Sequence, residues 1–355
     1  MKDFNEKILA MDIGSGTQDI LIYKDSVEME NNYKMVMPSQ TSILASRIEE
    51  LTQQGKDIYI EGTTMGGGPV NRAVKSHLET GNRVWATEKA ALTLKDNLDK
   101  VKAYGVEITD SPPETAAKLE FKDIDLQGLQ DALKNFDISL PGTIAVAVQD
   151  HGFSPHESNR LFRFHHWQNY LKTSGYLRDL IYQKEEVPGY FTRMNALGES
   201  IRDGFNQIFM MDTGAAAILG CLEDPWVAKH VSHRGGLLVN VGNQHIIAFL
   251  VYQDRVFGIF EHHTAKLSQE KLDYYLKKFR QGELSNEEVV NDHGHGAARK
   301  EPSPNLDFEF VAITGPRREI GKQLGYMAAP YGDMMLTGCY GLVKGIRERM
   351  HINGN

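Results

Sequence analysis

Short apolar runs, separated by turns of small or polar residues, set the hydrophobic pattern of the chain. The opening segment 7–23 places two such runs around a Gly-Ser-Gly turn, a pattern that predicts a β-hairpin. The same pattern returns at 237–252, around a polar turn that begins at Gly242. Two distant copies of one hairpin indicate an internal duplication.

Strand-like and helical patterns alternate between and after the two hairpins. Further strands are predicted at 33–37, 57–61, 83–86, 106–108, 143–149, 256–260 and 308–313. Helices are predicted at 70–78, 88–103, 126–135, 167–180, 211–220, 268–279 and 334–349. The polar segment 282–305 is expected to be a long surface loop. This alternation favours an α/β fold with a mixed or parallel sheet.

Composition narrows the class of protein. A chain of 355 residues suggests two domains at roughly 150 residues each, and 41% hydrophobic residues supply a core. The net charge of -8 argues against a nucleic-acid binder. No apolar run approaches the ~20 residues that span a bilayer, and the N-terminus does not resemble a signal peptide. We therefore expect a cytoplasmic protein.

The turn of the first hairpin has the residues of an anion site. Consecutive backbone N–H groups in a glycine-rich turn can form a concave site for phosphate oxygens. Ser15 and Thr17 add hydroxyl donors, and Asp12 ends the first strand, where a carboxylate can hold Mg²⁺ through water. A plain hairpin turn is the alternative for each copy taken alone. Two facing turns, in contrast, would clamp a polyphosphate.

Asp150 and His151 follow the apolar run 143–149, at a position where open α/β sheets place active-site residues. Asp150 can orient an attacking water or hydroxyl, or hold Mg²⁺. His151 can transfer a proton, since its unperturbed pKa is about 6.5. The alternative is a loop carboxylate that accepts hydrogen bonds from backbone amides.

Three other groups of residues leave alternatives open. The pairs His262-His263 and Asp292-His293-Gly-His295 can ligate Zn²⁺ or Mn²⁺, although a hydrophilic loop is the preferred interpretation. Residues 66–68 place bare amides before Pro69, as either an anion site or a structural turn. Cys221 and Cys339 are expected to pack as small residues.

In order along the chain, these segments resemble the motifs of the actin, Hsp70 and sugar-kinase superfamily. Segment 12–19 resembles the first phosphate motif, 239–245 lies where the second is expected, and 311–317 resembles the adenosine motif. Segments 212–217 and 332–341 resemble the two connecting helices. Within that superfamily the chain is similar to a family of unknown function, sometimes labelled as related to pyruvate formate-lyase activating enzyme.

That label does not fit as a mechanism. A radical-SAM activase is expected to carry Cys-x-x-x-Cys-x-x-Cys, and two isolated cysteines cannot supply three cluster ligands. A cluster shared across a symmetric dimer would need both cysteines exposed. A homodimer itself stays open.

The resemblance implies two actin-like ATPase lobes, each ribonuclease H-like, with a cleft between them. The first lobe would take residues 1–230 and 331–355, and the second would take 231–330. The implied cofactors are ATP and Mg²⁺, with Asp12 and Asp150 as metal-holding groups and Asp12, Asp150 and His151 as catalytic groups. The implied nucleotide-binding residues are Gly14, Ser15, Gly16, Thr17, Gln18, Asp19, Asn240, Gly242, Asn243, Gln244, His245, Gly315, Pro316 and Arg317.

One departure from the superfamily pattern bears on the activity. Asn240 stands where many members have Asp, so that one potential metal-holding carboxylate is missing. The leading hypothesis is an ATP-binding phosphotransferase or ATPase that acts on an unidentified small molecule or protein. The alternatives are a nucleotide-gated switch or assembly protein, and a metal-dependent enzyme that no longer uses ATP. No nucleic-acid or membrane partner is expected.

Overall fold

The computed structural model describes residues 7–63, 68–95, 97–201, 204–300 and 306–353. The strands in these ranges are β1 (Lys7–Ile13), β2 (Thr17–Lys24), β3 (Tyr33–Pro38), β4 (Ile58–Gly62), β5 (Val84–Ala86), β6 (Val106–Ile108), β7 (Ala117–Phe121), β8 (Thr143–Val148), β9 (Ile181–Gln183), β10 (Gln207–Met211), β11 (Gly236–Val241), β12 (His245–Tyr252), β13 (Arg255–His263), β14 (Gly296–Arg299), β15 (Phe310–Thr314) and β16 (Tyr326–Met327). The helices are α1 (Gln40–Gln53), α2 (Gly68–Glu79), α3 (Glu88–Leu94), α4 (Leu98–Ala103), α5 (Leu126–Lys134), α6 (Asn159–Thr173), α7 (Thr192–Ser200), α8 (Thr213–Cys221), α9 (Pro225–Arg234), α10 (Gln269–Gln281), α11 (Asn286–Asn291) and α12 (Thr337–Asn353).

Two six-stranded sheets share the order of five strands, and their sixth strands, β9 and β14, pair antiparallel at opposite edges. The first runs β3-β2-β1-β8-β10-β9 and the second runs β14-β13-β12-β11-β15-β16. In each, an antiparallel meander of three strands is followed by parallel strands, β1 beside β8 and β11 beside β15. The molecule is therefore an α/β protein of two ribonuclease H-like lobes, and the repeated hairpin of the sequence is the start of each lobe.

Buried apolar side chains hold both hairpins in register. In β1 and β2 nearly every apolar side chain is buried, because helices cover one face of the sheet and further core packs on the other. Strand β8 is buried along its whole length, as its unbroken apolar sequence predicted.

A third sheet, of order β6-β5-β4-β7, lies between β3 and β8 in the sequence. All of its strand pairs are parallel, and α1, α2 and α3 supply much of its separate core. The sequence predicted three of these strands but not β7, whose five residues include two Lys or Glu side chains that are exposed. A short edge strand with this polarity gives little periodic signal.

Helices α8 and α12 cross at very short range. A Cβ placed on Gly220 would lie 2.7 Å from the carbonyl carbon of Thr337, and one on Gly341 would lie 2.8 Å from that of Ala216. Only glycine permits backbones to approach this closely. The small residues of both predicted connecting helices therefore allow the two helix backbones to pack closely.

Three sequence predictions differ from the structure. The predicted helix 88–103 is two helices, because Lys95 is extended and the Asn97 side chain caps α4. The predicted helix 167–180 is the end of α6 followed by a 3₁₀ turn at Leu177–Leu180. The segment 282–305 is not a plain loop, since it contains α11 and β14. Residues 66 and 67 of the glycine run lie outside the described residues.

No described helix combines the length and apolar character needed to cross a bilayer.

Candidate functional site

A cavity of about 390 Å³ lies between the two lobes. Its lining comes from the turns of both hairpins, the ends of β8 and β15, and the start of α12. The predicted site residues on its wall are Asp12, Gly14, Ser15, Thr17, Asp19, His151, Asn240, Gly242, Asn243, Gln244, His245, Gly315 and Pro316. Thirteen residues from four separate segments are thereby brought to one cleft.

The two hairpin turns have the same construction. Gly14 N donates to Thr17 O at 2.9 Å in the first turn, and Gly242 N donates to His245 O at 2.9 Å in the second. The two residues between these ends keep their amides free: within the described residues, the amides at positions 15, 16, 243 and 244 have no hydrogen-bond partner. Four backbone donors are therefore available at the cleft.

The turns also lie against each other. A Cβ placed on Gly16 would lie 3.2 Å from Asn243 Nδ2, and one on Gly68 would lie 3.3 Å from Gln244 Nε2. Gly68 begins α2, so a helix N-terminus reaches the same point. Free amides and a helix N-terminus are the usual components of a phosphate site.

Neighbouring hydroxyls hold the carbonyls of the first turn. Ser39 Oγ donates to Ser15 O at 3.0 Å, and Ser42 Oγ donates to Gly16 O at 3.2 Å. In the second turn, Thr264 Oγ1 donates to Gly242 O at 2.8 Å. Because the carbonyls are occupied and the amides are not, each turn offers donors without having to reorganise.

Two carboxyl groups face the cleft beside these amides. Asp12 and Asp19 are paired in the register of β1 and β2. Burial raises the pKa of Asp12 to about 7, and the charge of Asp212 adds to the rise. Burial, followed by the charge of Asp12, raises the pKa of Asp19 to about 8. Asp19 Oδ1 is buried without a hydrogen-bond partner among the described residues, so a cation here would remove an unfavourable arrangement.

Two residues fix the position of Asp12. Thr213 Oγ1 donates to Asp12 Oδ1 at 2.5 Å, and a Cβ placed on Gly338 would lie 2.6 Å from Asp12 Cγ. Thr213 is the first residue of α8 and Gly338 is the second residue of α12, so both crossing helices contact the carboxylate at their N-terminal ends. The sequence showed that the helices carry small residues but not that they hold the carboxylate.

A buried ion network on the cavity wall was not predicted. Arg163 Nε lies 2.9 Å from both carboxylate oxygens of Glu261, and Arg163 Nη1 donates to Asp212 Oδ2 at 2.8 Å. Arg163 is on α6 and Glu261 is on β13, so the network joins the two lobes. Each residue sits in an ordinary-looking segment, and no local pattern distinguishes it from a surface charge.

Asp150 does not line the cavity, which corrects its predicted place. Its Oδ1 accepts from Gly152 N at 2.8 Å and its Oδ2 accepts from Met194 N at 2.9 Å. This is the amide-capping alternative considered for the sequence. Gln149, one position earlier, is on the cavity wall and lies 3.4 Å from Glu261.

Three further predicted residues lie off the cavity wall. Gln18 Nε2 donates to Pro38 O at 2.9 Å, and its side chain therefore ties β2 to β3. Arg317 is exposed, and its amide donates to Val241 O at 3.0 Å. Gly16 is not on the wall itself but contacts the opposite turn, as described above.

The histidines divide into two groups. His262 Nε2 lies 2.9 Å from Asp292, whose carboxylate also accepts from Lys271 and Tyr275. His295, in contrast, is buried and lies in the cleft beside His151. The hydrophilic-loop interpretation does not hold for His262 and His295, because both side chains are buried.

The paired sheets and the cleft between them are the architecture of the actin-like ATPase fold. Residues 65–320 match the family described as putative pyruvate format-lyase activating enzyme (DUF1786). The match spans more than half of the chain, and the chain belongs to this family. The activity in that description needs a cysteine cluster, whereas both cysteines here are buried and no third one exists.

Similar solved structures share low identity with the chain. A Bacteroides thetaiotaomicron protein with actin-like ATPase fold and unknown function is 10% identical, with a TM-score of 0.36, over 97% of this chain and 99% of that one. MreB 5 of Spiroplasma citri, bound to AMPPNP, is 10% identical, with a TM-score of 0.34, over 99% of each chain. A ROK family transcriptional regulator, a homologue of the E. coli MLC protein, is 12% identical, with a TM-score of 0.28, over 72% of this chain and 39% of that one. No curated protein matches the chain.

Proposed function

We propose that the chain binds ATP with Mg²⁺ in the interlobe cleft and hydrolyses or transfers the γ-phosphate. The observation that carries this proposal is the pair of adjacent turns, which together hold four backbone amides without a hydrogen-bond partner among the described residues. A triphosphate would accept these donors from both sides, as an anion does in other backbone-lined sites. The strand end at Gly315 and Pro316 is the candidate place for the nucleoside.

The residues of the cleft fit a magnesium ion. Mg²⁺ takes oxygen ligands and usually binds through one or two carboxylates, waters and substrate phosphates. Asp12 and Asp19 supply the carboxylates, and burial raises the pKa of both groups. When bound, Mg²⁺ neutralises the charge that develops on the phosphate oxygens. Because residue 240 is Asn rather than Asp, Asp12 and Asp19 are the only carboxylates in segments 12–19 and 239–245.

Gln149 is the candidate for orienting an attacking water or hydroxyl. It follows β8 on the cavity wall, whereas the carboxylate of Asp150 is occupied by backbone amides. An amide side chain cannot act as a general base, so the contribution of Gln149 would be positioning. We also propose that residues 1–230 and 331–355 form the first lobe and residues 231–330 form the second. The two lobes would close on the ligand.

The test places a negative charge in the phosphate turn. We expect Ser15→Asp to abolish the rise in melting temperature that ATP·Mg²⁺ gives the wild-type protein, because the carboxylate repels the triphosphate. The matched control is Ser26→Asp, on the exposed turn at the opposite end of β2. A wild-type protein that ATP·Mg²⁺ does not stabilise, or an equal response from both variants, would refute the proposal.

Phosphate release separates an enzyme from a nucleotide-gated switch. Both bind ATP, but only the enzyme turns it over at a steady rate. We expect release by the wild-type protein and loss of release in Gln149→Ala with ATP binding retained. Binding without release, with or without candidate phosphoryl acceptors, would favour the switch.

A further inference from the structure

Four histidine rings meet in the interlobe cleft next to the phosphate turns. His151 follows β8 of the first lobe, while His245, His263 and His295 belong to the second lobe. The ring centroids of His245 and His295 are 4.8 Å apart, and those of His151 and His295 are 5.5 Å apart. His263 lies 4.9 Å from the rings of both His245 and His295. Local sequence could not show this group, because its members come from four separate segments.

We propose that His151, His245 and His295 bind a divalent transition-metal ion of the class that prefers imidazole ligands, with Zn²⁺ as the reference ion. Each residue can offer one ligand atom such that all three atoms lie within 4.8 Å of one another. The site is distinct from the pair Asp12 and Asp19, since imidazole nitrogen suits Zn²⁺ and carboxylate oxygen suits Mg²⁺.

The spacing of two ring nitrogens fits a tetrahedral ion. His151 Nε2 and His295 Nε2 are 3.3 Å apart. Zn–N bonds of about 2.0–2.1 Å at tetrahedral angles place two ligand nitrogens roughly 3.3–3.4 Å apart. His245, the first residue of β12, is the third ligand, and its ligand atom lies within 4.8 Å of the other two.

The ring of His295 is held inside the protein. It has no exposed surface, and its Nε2 faces His151. Its Nδ1, on the other side of the ring from the ligand atom, has no hydrogen-bond partner among the described residues. Burial also lowers the pKa of all three imidazoles, and their neutral form carries the lone pair that a metal needs.

Charges of both signs surround the cluster. The positive charges of Arg163 and Arg193 act on His151. Arg163 is itself paired with both Glu261 and Asp212, which leaves that network with one net negative charge. Glu261 also lies close enough to raise the pKa of His245. His151, His245, Glu261 and His263 all line the cavity, so a fourth ligand position faces the cleft. Three histidines with one open position is the ligand set of a catalytic zinc site.

The proposed ion would also join the two lobes. His151 comes from the first lobe, and His245 is the last residue of the turn that holds Gln244 and Asn243. Metal binding would therefore draw the second phosphate turn toward the first lobe. The metal proposal does not depend on nucleotide binding, because none of its ligands is a phosphate-turn amide.

The test uses the metal alone. The purified full chain is stripped with a chelator, dialysed, and titrated with Zn²⁺ and with Co²⁺ in the absence of nucleotide. We expect one ion per chain and the visible absorption of Co²⁺ in nitrogen-rich, low-coordinate geometry. His151→Ala and His245→Ala should each weaken Zn²⁺ binding by more than about 100-fold, since loss of a ligand exceeds the roughly 10–100-fold loss seen when a group that hydrogen-bonds to a ligand is removed.

His165→Ala is the matched control, because this side chain is 58% exposed on α6 and lies outside the cluster. It should bind Zn²⁺ as the wild-type protein does, and melting curves show whether each variant is folded. Two results would overturn the proposal: no stoichiometric Zn²⁺ in the wild-type protein, or wild-type affinity in both His151→Ala and His245→Ala. Displacement of Zn²⁺ by excess Mg²⁺ would also count against it, since that would indicate an oxygen-ligand site.

Discussion

Gly338 offers a sharp test of how α12 positions the cleft carboxylate. In Gly338→Ala the new Cβ would lie 2.6 Å from Asp12 Cγ and 3.0 Å from Asp12 Cβ. Because non-bonded carbon atoms pack at roughly 3.5 Å, and Asp12 Oδ2 lies nearer to the new Cβ than Cγ does, the Asp12 carboxyl and the helix have to separate by more than about 0.9 Å. Overpacking of this kind costs about 1–3 kcal/mol. The substitution should lower the melting temperature and weaken ATP·Mg²⁺ binding together.

Gly345→Ala is the matched control on the same helix. Its Cβ would lie 3.4 Å from the nearest atom, a side-chain methyl of Ile181, which is an ordinary contact. Helix propensity alone favours alanine over glycine by about 1 kcal/mol, and this variant should be neutral or stabilised. Thermal melts with and without ATP·Mg²⁺ measure both effects. If Gly338→Ala melts and binds like Gly345→Ala, then the close approach of α12 to Asp12 is not real.

Three further predictions concern charge. Arg163→Met should destabilise the protein by about 3–5 kcal/mol in urea unfolding, because it leaves two buried carboxylates unpaired. The control Arg83→Met breaks an exposed ion pair and should cost at most about 1 kcal/mol. Equal losses of stability in the two variants would contradict the buried network. The folded pKa values of Asp12 and Asp19, about 7 and about 8, lie above the usual 3.8, so the folded chain binds more protons than the unfolded chain between these values. These two groups should therefore make the ligand-free protein less stable as pH rises through that window. Melting curves of Asp19→Asn against pH should show a smaller decrease in stability. A decrease as large as that of the wild-type protein would contradict the raised pKa of Asp19. Gln149→Glu should reduce phosphate release by about 10–100-fold through misplacement of the nucleophile, measured by a coupled phosphate assay, and an unchanged rate would remove Gln149 from the proposed mechanism.

Much of the fold could be predicted from local pattern. Both hairpins, the buried strand β8 and the crossing helices have strong periodic or compositional signals, since each depends on residues close in sequence. The third sheet was harder, because its strands have three to five residues and β7 carries exposed charges on alternate positions. Pairing between distant short strands leaves almost no trace in a single sequence.

The residues of the candidate site were likewise predictable only where the signal is local in sequence. The residues of the two turns were found because the glycines and hydroxyls stand together in the sequence. Arg163, Glu261 and Thr213 were missed, since each acquires its place only through contacts between distant segments. Asp150 shows the opposite failure: its position at a strand end was predicted correctly, but the direction of its carboxylate depends on the amides of Gly152 and Met194.

The most direct test of the central claim is a crystal structure grown with a non-hydrolysable ATP analogue and Mg²⁺. The account predicts that the triphosphate lies between the two hairpin turns, within hydrogen-bonding distance of the amides of Ser15, Gly16, Asn243 and Gln244. It also predicts the magnesium ion beside Asp12. An analogue bound elsewhere, or a cleft that stays free of it at saturating concentration while the turns are open to solvent, would contradict the account.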